Sequence, residues 1–118
     1  MSDSVEDAEF HDIVSDESPL EWEEAEEHPE GVTERVLYEA DKTQARLLRY
    51  PPGSETFETL SHDHYEQSYI IEGDLIDKGL GETFYEGYYA FRTPGMDHGP
   101  FATETGCLTL DIRFESVE

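Results

Sequence analysis

The chain has 118 residues, with 7 Lys and Arg against 30 Asp and Glu and a formal net charge of -23. That length predicts one domain. The charge excludes nucleic acid, whose phosphates need Lys and Arg, and argues against anionic membrane surfaces. No apolar run approaches the roughly 18 residues of a membrane span, and the single cysteine, Cys107, excludes an internal disulfide. A reducing cytoplasm is the expected location.

So large an acid excess is common in disordered chains, but seven Tyr, six Phe and one Trp are many aromatics for one. The acids also run the whole length of the chain, and only Lys42 and Lys78 represent lysine. Self-repulsion of this size weakens a compact state at low salt. At 1 M salt the Debye length falls to about 3 Å and the repulsion is screened. The composition predicts a halophilic surface.

In chain order, residues 1–34 hold 14 acids and no Lys or Arg. Residues 1–17 are expected to be an acidic, loosely ordered lead-in, with His11 and His28 solvated. The folded domain is expected over 18–118, with Trp22 docking on its body. From Val32 the pattern is β. A strand is expected over Val32–Tyr38, another over Gln44–Tyr50 ending at Pro51-Pro52-Gly53, and a third over Glu55–Leu60. Tyr69-Ile70-Ile71 should end at Glu72-Gly73-Asp74, with a separate short strand through Leu75-Ile76-Asp77. Phe84-Tyr85 and Tyr88–Phe91 flank Gly87, and Pro94-Gly95 marks a further turn. Leu108, Leu110, Ile112 and Phe114 alternate with Thr109, Asp111 and Arg113, as in a half-buried strand that Cys107 opens as a small buried residue. No stretch has a helical period. About eight short strands between Gly and Pro turns predict an all-β sandwich or barrel. Apolar strand faces left over from so small a core suggest a homodimer.

Three histidines stand apart. His62 and His64 precede Glu66, and along a strand residues two apart point to one face. Two imidazoles and a carboxylate make a ligand set for a divalent transition metal, and with open positions they suit oxygen chemistry. His98, 34 residues beyond His64, supplies a third imidazole after Pro94-Gly95. Gln67 rivals Glu66 as the fourth ligand, and strand parity favours Glu66. Asp63 and Asp97 are candidates to orient an imidazole. Among the scarce arginines Arg92 and Arg113 are candidates to grip a substrate carboxylate or to pair with a nearby acid, and Tyr69 is a candidate to line a substrate pocket.

Gly53, His62-x-His64, Glu66 and Gly73, followed by Gly87, Pro94-Gly95 and His98, resemble the two motifs of the cupin superfamily. The run from Gly73-Asp74 through Tyr85, Gly87, Tyr89, Arg92 and His98 to Gly106-Cys107 is most similar to the ChrR-like branch. Eight residues separate Gly53 from His62 and one separates His64 from Glu66, a longer first gap and a shorter second one than the family pattern. The resemblance covers about residues 18–115. It implies a jelly-roll barrel with one divalent metal (Fe, Mn, Zn or Ni) held by His62, His64, Glu66 and His98. It further implies a small enzyme, dioxygenase-like or related, acting on a small oxygenated or carbonyl compound. The alternative it implies is a non-catalytic metal- or ligand-binding sensor.

Overall fold

The computed structural model describes residues 8–115, and among them there is no helix. It follows that no described helix is long and apolar enough to cross a membrane. Eight strands make the fold: β1 (Glu23–Glu24), β2 (Thr33–Ala40), β3 (Thr43–Tyr50), β4 (Tyr65–Asp77), β5 (Glu82–Tyr85), β6 (Tyr89–Arg92), β7 (Phe101–Ala102) and β8 (Cys107–Phe114). The all-β expectation holds, and all pairings are antiparallel.

The main sheet runs β1-β2-β3-β8-β4, with β6 on the far side of β4. The second sheet is built on the other end of the same β4, where Asp74–Asp77 pair with β5, and Ile76 and Asp77 also with β7. β4 therefore crosses from one sheet to the other as a single 13-residue strand, not as the two strands read from the sequence. The crossing is made by a register shift between Ile70 and Glu72 and by Gly73 at φ 88°. A side chain at Gly73 would run into the carbonyl of Gly106, so only glycine lets β4 bend against the start of β8.

A further correction concerns Glu55–Leu60, expected as a strand. Only its ends pair, Glu55 with Ala102 and Leu60 with His98. Its alternation is not backed by a buried face: Phe57 is 77% exposed, with Lys78 Nζ 4.6 Å from its ring centroid.

The two faces of the main sheet have opposite characters. Gln44, Arg113, Glu66 and Arg92 stand opposite one another across β3, β8, β4 and β6, as do Arg46, Asp111, Ser68 and Ala90; this face lines the barrel interior. The other face carries the rows Leu47–Leu110–Tyr69–Tyr89 and Ala45–Ile112–Gln67–Phe91. Below them lies Thr43–Phe114–Tyr65. In β8 the polar half of the alternation thus faces the barrel, where Thr109 and Asp111 are buried, as is Cys107 at the strand's start.

The segment before the barrel packs on the outer face of β2 and β3. The Trp22 ring lies between two guanidinium groups, 4.5 Å from Arg35 Cζ and 4.2 Å from Arg49 Cζ. Arg35 is 2% exposed and its Nη1 donates to the carbonyls of Ile13 (2.7 Å) and Ser15 (3.0 Å). Contacts with the body therefore begin before Ser18, although residues 1–7 of the expected lead-in lie outside the described residues. Ala25, Val32 and Leu48 form the apolar plug at one end of the barrel, with Tyr50 against it.

Candidate functional site

The loop before β4 and the loop after β6 are laced together. Leu60 and His98 exchange two backbone hydrogen bonds of 2.8 Å, and Gly95 N–H donates to the carbonyl of His62 at 2.7 Å. This pairing brings distant histidines to one place. The His62 and His64 rings are stacked with centroids 4.8 Å apart, and His98 lies 5.1 Å from His62. β4 begins only at Tyr65, so the convergence comes from loop pairing and not from the continuous strand expected through 62–66.

His62, His98 and Glu66 line a cleft that encloses about 710 Å³ including its open mouth. His64 lines a separate surface concavity beside Gln44 and Arg113. Burial lowers the pKa of His64 and of His98, and the charges of Arg113 and Arg92 respectively lower them further. Both rings are therefore neutral at pH 7. His64 Nε2 and His98 Nδ1 are buried with no hydrogen-bond partner, two nitrogens left over for a ligand.

Glu66 is 6% exposed on the inner face of β4, and Gln67 turns to the outer face, where its Oε1 accepts from Tyr89 Oη at 2.6 Å. Arg92 Nη1 donates to Glu66 Oε1 at 2.9 Å, and Arg113 Nε lies 3.9 Å from Oε2. Burial alone would raise the Glu66 pKa, but Arg92, His98 and Arg113 together hold it below its ordinary value. Among the described residues no group of three or more His, Cys, Asp or Glu stands in an arrangement that could hold a metal ion. The reason is visible in the side chains: Glu66 is turned to its arginines, and His64 is stacked on His62. The donor types still suit a divalent metal, and the two orphaned imidazole nitrogens fit one.

Several cleft residues were not singled out from the sequence. His28, expected in solvent, stands edge-on to Tyr50 with centroids 5.8 Å apart, and burial followed by Arg46 lowers its pKa. Arg46 Nη1 bonds Glu34 Oε1 at 2.6 Å, and its Nε has no partner. Asp111 accepts from Ser68 Oγ at 2.7 Å, yet burial and the nearby Glu66 charge push its pKa up to about 6. Thr109 Oγ1 and Arg113 Nε have no hydrogen-bond partner. Tyr69 stands on the outer face, 42% exposed, outside the cleft, while Arg92 lines it.

The family model for the ChrR cupin-like domain matches residues 11–113. A search of curated proteins returns no match. Among solved structures, an RmlC-like cupin from Shewanella frigidimarina superposes with a TM-score of 0.71 at 23% identity, over 92% of this chain and 95% of that one. An acetylacetone dioxygenase from Acinetobacter johnsonii gives 0.69 at 19% identity, over 97% and 79%. The complex of Rhodobacter sphaeroides SigE with the anti-sigma factor ChrR gives 0.64 at 22% identity, over 81% of this chain and 50% of that one. At these identities the likeness is one of fold, and the named functions of these proteins differ. With its crossed antiparallel sheets and a family match over most of its length, the chain belongs to the ChrR cupin-like family.

Proposed function

We propose that the chain is a metal-dependent cupin, a small enzyme that acts on a small oxygenated or carbonyl compound. His62, His64 and His98 would hold one divalent transition metal, with Glu66 as fourth ligand once it leaves Arg92. The observation that carries this reading is the loop pairing that gathers three imidazoles side by side, two of them lining the cleft and two with buried unpartnered nitrogens. A bound metal would act there as a Lewis acid on a substrate oxygen, or as the meeting point of dioxygen and a chelating substrate.

The chain's own groups define the rest. Arg113 Nε and Thr109 Oγ1 are buried donors without acceptors, so they suit a ligand that presents oxygen atoms. Asp111, whose pKa burial and the Glu66 charge push up to about 6, can take or give a proton at its carboxyl oxygens. Leu48, Leu75 and Phe101 supply the apolar part of the wall.

The test begins with metal analysis of protein purified in high salt without added metal. About one equivalent is expected, lost in each of His62→Ala, His64→Ala and His98→Ala. Glu66→Gln should weaken binding, and Gln67→Ala should leave it unchanged, because Gln67 faces away. Wild-type metal content in all five variants would end the metal reading. A loaded protein that binds carbonyl compounds without turning them over would favour the sensor alternative.

A further inference from the structure

Cations are scarce in this chain and are gathered in one place. There are 7 Lys and Arg against 30 Asp and Glu, yet Arg46, Arg92 and Arg113 all line the cleft, with only Glu27, Glu66 and Asp111 as acids beside them. Glu27 is exposed to solvent. Two of the three arginines are engaged by carboxylates, Arg92 by Glu66 at 2.9 Å and Arg46 by Glu34 at 2.6 Å. Arg113 Nε stops 3.9 Å from Glu66 Oε2, beyond hydrogen-bond reach. That Nε, Arg46 Nε and Thr109 Oγ1 are all buried without a hydrogen-bond partner among the described residues. Arg46 and Thr109 are themselves only 7% and 3% exposed. The register sets the three side by side: Arg46 stands opposite Asp111, and Thr109 and Arg113 lie two residues to either side of Asp111 on the same face of β8. Buried donors left unsatisfied are costly unless an acceptor from outside completes them.

We propose that these three donors bind the carboxylate of a small oxo acid whose carbonyl group lies toward the histidine cluster. That this acid is the substrate rests on the metal-dependent reading above; the carboxylate site itself does not. His62 and His98 line the same cleft as the donors, so one small molecule can reach both. A planar carboxylate accepts in its own plane from guanidinium N–H groups, and these charge-assisted bonds are the strong ones. Leu48, Leu75 and Phe101 cover the carbon chain between its two polar ends. Burial and the Glu66 charge push the Asp111 pKa up to about 6, and a second carboxylate nearby raises it further, so the two carry one charge between them. Arg113, the arginine without a hydrogen-bonded acid, matches that single charge. A phosphate dianion is not matched.

Calorimetric titration of the full chain in 2 M KCl compares pyruvate and levulinate with their primary amides, which keep the shape and lose the charge. At least one acid should bind tenfold or more tighter than its amide, and inorganic phosphate should bind more weakly than that acid. Arg113→Gln and Thr109→Val should each cut the preference at least fivefold and leave the amide's affinity unchanged. Lys78→Gln, on the surface, should alter neither. Circular dichroism checks folding; Thr109→Val keeps the side chain's shape and carries the test should Arg113→Gln unfold. The preference should persist in His98→Ala, where the metal is expected to be lost. Preference without bound metal in the wild type would end the metal reading and uphold this site. Acids that bind no tighter than their amides overturn the proposal. So do variants that weaken acid and amide alike, phosphate that binds tighter than either acid, or a preference that disappears in His98→Ala.

Discussion

Arg92 holds Glu66 through a bond of 2.9 Å in a nearly dry setting, so any metal must compete with that guanidinium for the carboxylate. A carboxylate beside a cation is stabilised in its charged form, and each pKa unit of such an effect is worth about 1.4 kcal/mol. Arg92→Gln should therefore tighten metal binding about tenfold, measured by competition with a chromogenic chelator. Weaker or unchanged binding would remove Glu66 from the proposed ligand set. Asp111 offers a second residue-scale test. Its folded pKa of about 6 lies above the ordinary 3.8, so between those values the folded state binds more protons than the unfolded chain. Its contribution to stability is full below about pH 4 and declines as pH rises through 6. Asp111→Asn keeps an acceptor for Ser68 and removes the charge. Relative to wild type, the variant should gain stability between pH 4.5 and 7 in urea titrations; a difference that stays flat or falls with pH would contradict the raised pKa.

At the scale of elements, Gly73 and Gly87 separate two uses of glycine. Both have positive φ, 88° and 90°. At Gly87 nothing lies within 4 Å of an added side chain, whereas at Gly73 the backbone of Gly106 blocks it. Gly87→Ala should cost about 1 to 2 kcal/mol from backbone strain alone, and Gly73→Ala should cost more or prevent folding. Equal melting temperatures for the two would show that the β4 crossing does not depend on that close approach. The N-terminal segment makes a parallel case. Removing residues 1–10 should be neutral, but removing 1–15 takes both carbonyl acceptors from buried Arg35, a loss of about 1 to 3 kcal/mol per unsatisfied group. The sequence shows neither contact, because an acidic stretch looks alike whether or not its backbone is used. The β2, β3, β5, β6 and β8 strands were legible from alternation and turn residues, and the histidine trio from its motif spacing. The Arg46, Asp111 and His28 positions were not, since inward polar residues in an alternating strand look the same as outward ones. The long β4 was hidden for a related reason: Gly73 reads locally as a chain reversal, and only the approach of Gly106 shows it to be a bend within one strand.

For the whole molecule the placement of charge sets the expected behaviour. Within the barrel Glu66 is neutralised by arginines, and burial pushes the Asp111 pKa up to about 6. Asp74 is held by the backbone N–H groups of Glu104 and Thr105 and by two threonine hydroxyls, which outweigh its burial and lower its pKa. Glu66 and Asp74, held in this way, do not drive unfolding. Most of the remaining acids are exposed or half-exposed, with seven Lys and Arg in the whole chain to offset them. Three of those seven, Arg46, Arg92 and Arg113, are committed to the cleft. The surface is therefore more acidic than the composition alone implies, and its repulsion falls away as the Debye length shrinks from about 10 Å at 0.1 M salt to about 3 Å at 1 M. The melting temperature should climb steeply from 0.1 to 2 M KCl, and NaCl at equal ionic strength should reproduce most of the gain. A melting temperature that stays level or drops with KCl would mean that surface repulsion does not limit the fold, and the halophilic reading of the acid excess would be lost.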